Sequence, residues 1–183
     1  PPFCAPRRRV LGGGRTGPTP PAGVPEVPRP ANASATTEVV PRNAAGAPDP
    51  ANGRIGLISV GMSNTTQEFG NSPWGFKPQA DGDPSKNPRV VIVDGAQGGK
   101  AAGEWADPTD PLWTVLATRI AQAGLSPLQV QVAWVKLAEQ QPGPTFGAFP
   151  LHSDALQADL ETTLHNLIAI YPNLRLAFLS SPP

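Results

Sequence analysis

Ser63 follows an apolar run, Ile55–Val60, and a Gly61-Met62 pair, and it precedes Asn64. A serine at such a strand end can present its hydroxyl to solvent while nearby backbone amides point at a developing oxyanion. The same serine could instead cap a short turn over residues 64–69. Gly95-Ala-Gln97-Gly98-Gly99 follows a second run, Arg89–Asp94. Glycines there let the backbone come close to a ligand and lend an amide to an oxyanion or phosphate, or they make a tight turn. A P-loop is excluded, because Asp94 stands at its first glycine position and Ala101 replaces its hydroxyl residue. Lys136 closes a third run, Gln129–Lys136, either as an inward donor or as a solvated strand-end lysine. The two histidines are His152, just before a helical pattern, and His165 within it. The expectation is that His152 lies near the amino end of the fourth strand's layer and that His165 faces outward, so neither serves Ser63 as a base. No metal site or cofactor is expected: Cys4 is the sole cysteine, and two histidines would leave a metal resting mainly on carboxylates.

These residues need elements to position them. Four short apolar runs, Ile55–Val60, Arg89–Asp94, Gln129–Lys136 and Arg175–Ser180, read as strands of a sheet covered on both faces. Asp110-Pro111 opens a helix that stops at Gly124. A second helix opens at Ser153 and carries the stripe Leu156, Leu160, Leu164, Leu167, Ile168, with Pro172 beyond its end. Gly70–Pro88 reads as a long loop with little structure of its own. The alternation predicts an α/β fold, a doubly wound, flavodoxin-like parallel sheet of about four strands with right-handed crossovers. Ligands of such sheets sit beyond the carboxyl ends of the strands, which selects Ser63 and Asn64, Gln97 to Gly99, Lys136 and Ser180 on one edge.

The chain has 183 residues, and 25 of them are proline. Twelve of those prolines fall within the first 53 residues, where helical and strand periodicity are lacking. Residues 1–53 therefore read as a disordered Pro/Gly-rich segment, and residues 54–183 as the folded domain. Only 15% of residues are charged and the net charge is zero, which argues against a nucleic-acid partner. The apolar runs are too short to span a bilayer. Residues 1–20 contain no apolar core of a secretory signal, and the compartment stays open.

Ile55-Gly-Leu-Ile-Ser-Val-Gly-Met-Ser-Asn64 resembles the first block of the SGNH (GDSL-type) serine hydrolases. The nearest form is the Gly-Gln-Ser-Asn variant of carbohydrate and sialate acetylesterases, with Met62 where that variant has Gln. The resemblance implies Ser63 as nucleophile and Gly98-Gly99 as the glycine block that lends an oxyanion amide. It sets Lys136 where the variant carries the glutamine of Trp-x-Gln, and it implies Asn64 and Gln97 at the substrate. An ester or an acetylated carbohydrate would be the substrate. The family's closing Asp-x-x-His is not found in this sequence, so the chain reads as the first two-thirds of such a domain, inactive as it stands, with an uncovered sheet edge through which it could self-associate. The other reading is a non-catalytic α/β module holding a sugar or small anion at the glycine-rich edge.

Overall fold

The computed structural model describes residues 38–71, 73–141 and 147–180. Four strands form one sheet: β1 (Ile55–Gly61), β2 (Val90–Val93), β3 (Val130–Lys136) and β4 (Leu176–Leu179). Their spatial order is β2-β1-β3-β4 and every pairing is parallel. Leu57 stands opposite Ile92 on one side and Val132 on the other, and Gly61 stands opposite Lys136. This is the α/β architecture that the alternation of runs predicts.

Between β1 and β2 the chain forms α1 (Ser63–Thr66), a π-helical turn (Gln67–Asn71) and α2 (Phe76–Gly82). Between β2 and β3 come α3 (Ala102–Ala106), α4 (Leu112–Gln122) and a 3-10 turn (Pro127–Gln129). The last crossover is α5 (Leu151–Ile170). Strand side chains alternate between faces. Ile58, Val60, Val93, Ala133 and Val135 therefore share one face, where they pack with Trp105, Leu116, Ile120 and Leu167 of α3, α4 and α5 in the main core. The opposite face presents Leu57, Trp134 and Phe178, which with Phe69 of the π turn and Phe76 of α2 line an apolar cleft of about 310 Å³. Because β1 leads to a neighbour on one side and β3 lies on the other, the winding reverses between β1 and β3, where such sheets place their ligands.

Three elements depart from expectation. The domain takes in residues 38–53, which the proline count had assigned to the tail. Arg42 and Arg54 exchange backbone bonds of 3.0 and 2.8 Å. Gln131 closes a two-way bond with the backbone of Val40, and Gln129 donates to Arg42 O at 2.7 Å, so buried glutamines at the amino end of β3 tie this strap down. The reading of residues 1–37 lies outside the described residues. α2 occupies part of the expected 70–88 loop, and α3 is a helix that the periodicity did not reveal. In α5 the leucines of the stripe pack on the core, but Ile168 is 56% exposed. It falls about 100° around the helix from Leu167, beyond the packed face.

Candidate functional site

Gly61 lets α1 start where it does. A Cβ there would lie 2.5 Å from Lys136 O and 2.6 Å from Thr65 Cβ. With only hydrogen at that position, Thr65 settles onto the strand ends, fully buried, and its hydroxyl donates to Lys136 O at 2.9 Å. That contact fixes α1 across β1 and β3 and leaves Ser63 exposed as the helix's first residue. No side chain caps α1, so the Ser63 and Asn64 N–H groups have no intrahelical acceptor. Among the described residues the Ser63 hydroxyl has no hydrogen-bond partner.

The loop after β2 is brought to the same place by a small polar hub. The Ser59 hydroxyl donates to Asp94 Oδ1 at 2.7 Å and accepts the Gly95 and Ala96 N–H groups at 3.0 and 3.3 Å. Arg119 donates to Asp94 O and Ala96 O at 3.0 and 2.9 Å, and Gln97 N–H donates to Gly61 O at 2.9 Å. The loop thus turns outward beside α1. A Cβ at Gly98 would lie 3.8 Å from Ser63 Cβ, so any side chain there would meet the serine, and glycine leaves that space open. Gly98 and Gly99 are exposed, and Gly99 has φ +76°, which glycine adopts without strain. Among the described residues their N–H groups donate to no backbone acceptor.

Ser63, Gly98, Gly99 and Lys136 therefore all lie at the carboxyl ends of β1, β2 and β3. Their side chains and backbones are not equally available. Lys136 is buried, and its ammonium meets both oxygens of Glu68 at 2.6 and 2.7 Å, so it is held by the π turn rather than free for an oxyanion. Asn64 Oδ1 turns back onto Thr65 N–H at 2.8 Å. Gln97 Nε2 donates to Leu112 O at 3.0 Å. Both amides expected to face a substrate are thus bonded within the protein.

The placement of His152 needs correction. A crossover helix leaves the carboxyl end of the strand before it, so α5 begins on the carboxyl side of the sheet, and His152 lies on Ser63's side, not at the amino end. Its ring packs against Phe149 with centroids 6.1 Å apart. His165 is exposed, as expected.

Glu139, three residues past Lys136, was not singled out by the sequence. Burial, then the negative charge of Asp159 and that of Glu104, push its carboxyl up to about 7. Glu68, Ser59 and Asp94 also escaped notice, and only Asp94, at a strand end, carried a sequence signal. A scan against protein-family models gives no match, and neither does a comparison with curated proteins.

Proposed function

We propose that this edge is an acyl-transfer site of the SGNH type, with Ser63 as nucleophile toward an ester or acetyl group, of a carbohydrate in the nearest variant. The observation that supports it is the neighbourhood of Ser63 and Gly98 at the winding reversal of the sheet: a Cβ at Gly98 would lie 3.8 Å from Ser63 Cβ, and the exposed serine hydroxyl has no partner among the described residues. Attack by Ser63 Oγ on the acyl carbon would put negative charge on the carbonyl oxygen. The amides of Ser63, Gly98 and Gly99 are the groups able to receive it. Collapse would expel the alcohol and leave an acyl-serine, which water cleaves. Lys136 acts in this reading through Glu68, by holding the π turn that continues α1. The first step needs a base within reach of Ser63, and this sequence holds no Asp-x-x-His to supply one.

An added base tests the nucleophile separately from its activation. p-Nitrophenyl acetate is offered with free imidazole, and release is compared between the protein and its Ser63→Ala variant. The expected result is imidazole-dependent release above the variant's rate, with one acetyl group on Ser63 by intact mass. Equal rates and no acetyl-serine would overturn the acyl-transfer reading. Binding of a monosaccharide or acetate at the edge without transfer would favour the binding-module alternative.

A further inference from the structure

We propose that a protonated Glu139 bonds to the Asp159 carboxylate and forms a pH-gated latch that fastens α5 to the end of β3. This stands apart from the chemistry of Ser63.

Three elements bring three carboxylates together. Glu139 extends from the segment just past β3, where the neighbouring Ala138 carbonyl accepts Ala102 N–H at 3.1 Å and so anchors the start of α3. Glu104 of α3 turns back to accept Ala101 N–H at 2.9 Å. Asp159 projects from α5 toward α3, with its Oδ2 3.5 Å from where a Gly103 Cβ would be. The carboxyl of Asp159 is within hydrogen-bonding reach of Glu139. α3 and α5 are further joined by Asn166 Nδ2, which donates to Ala106 O at 3.0 Å.

Among the described residues no cation is paired with this cluster. The nearby Lys100 is taken by Asp110, at 2.9 and 3.0 Å from its two oxygens. Asp107 adds further negative charge to the cleft that Glu104 and Glu139 line. On α5 itself, His152 packs on Phe149 and Asp154 is exposed. Among the described residues Glu139 Oε1 is buried with no donor directed at it. Two carboxylates are acceptors only, so they can bond to one another only when one holds a proton. That proton is also what permits one oxygen to be buried between like charges.

The sign follows from the shift. Glu139 holds its proton up to about 7 in the fold, well above the 4.5 ordinary for a glutamate. The folded state therefore binds the proton more tightly than the unfolded chain, and the latch is closed on the acid side. It opens as pH rises through neutrality, where two facing carboxylates repel. What loosens is the seat of α5 on α3 and β3, with the first turns of α5 above it.

The test is a pH series between about pH 5 and pH 8, read by amide exchange and by urea midpoint. Exchange rates in the first turns of α5, corrected for intrinsic base catalysis, should rise on the order of tenfold across it in the wild-type protein. The urea midpoint should fall over the same range. Glu139→Gln should abolish both dependences, since the amide donates a hydrogen bond at every pH. Asp159→Asn should weaken both, since burial and Glu104 still act on Glu139, and it serves should the first variant fail to fold. Side-chain carbon shifts of the unmodified protein give a third reading, with one glutamate titrating near neutrality. Exchange in α5 that tracks the intrinsic rate throughout, all glutamates titrating in the ordinary acid range, or an undiminished pH dependence in Glu139→Gln would overturn the proposal.

Discussion

Gly61→Ala tests whether the strand ends carry the site as described. The added methyl carbon would sit 2.5 Å from Lys136 O and 2.6 Å from Thr65 Cβ, with Thr65 Oγ1 closer still. None of these is a flexible tip. Lys136 O belongs to the strand paired with Gly61, and Thr65 is fully buried. Either β1 and β3 part or α1 lifts. Overpacking of this kind costs about 2–3 kcal/mol. Lifting α1 also forfeits the 2.9 Å bond from Thr65 to Lys136 O, worth about 1 kcal/mol. A total of about 3–4 kcal/mol lowers the melting temperature of a domain this size by roughly 10 °C. The assay is urea denaturation with thermal melts alongside, with Gly82→Ala as control, because a Cβ at Gly82 meets nothing within 4 Å. Adding Thr65→Ala to Gly61→Ala should recover part of the loss, because it removes Thr65 Oγ1, the nearest obstruction, while Thr65 Cβ and Lys136 O remain. Gly61→Ala within about 0.5 kcal/mol of wild type, or no worse than Gly82→Ala, refutes the packing argument.

Other outcomes follow from single contacts. Glu68→Gln should destabilise more than Lys136→Met, by about 1–2 kcal/mol in urea midpoints, because the first leaves a buried ammonium without its counter-charge and the second removes the charge with its need. The margin is modest because the Glu68 side chain is 47% exposed. Tyr171→Phe should be neutral or stabilising by up to about 1 kcal/mol in thermal melts, since the Tyr171 hydroxyl is buried without a hydrogen-bond partner among the described residues. A loss above that size would mean that the hydroxyl has a partner.

The strands were legible because each is a continuous apolar run, and the observed bounds differ from the sequence reading by a residue or so at each end. The carboxyl-edge rule then placed Ser63 beside Gly98 without knowledge of register. Lys136 was legible only as a position. Its direction depends on Glu68, and the π turn that presents Glu68 leaves no period in the sequence. α2 was hidden by Pro78 and by the glycines at its ends, and α3, five residues long, is too short for a stripe. The strap over residues 38–53 was misread because proline withholds donors from regular structure. Its order comes from Gln129 and Gln131, more than seventy residues away, whose side chains bond to its backbone. His152 was misplaced by topology alone, since a crossover helix starts where its strand ends.

The four tryptophans are spread so that light can report on each layer separately. Trp105 and Trp113 meet edge-on in the main core, centroids 5.1 Å apart and planes at 88°. Close transition dipoles in a fixed asymmetric setting give near-ultraviolet ellipticity that vanishes when that core loosens. Trp134 lies over the other face, stacked on Phe69 at 5.5 Å and 19°, so its emission shifts red when the π turn lifts. Trp74, 82% exposed, already emits into water and is quenched by iodide in every state. A titration that reddens emission before it erases the ellipticity would therefore mean that the π turn peels from the sheet while the layer of α3, α4 and α5 is still packed.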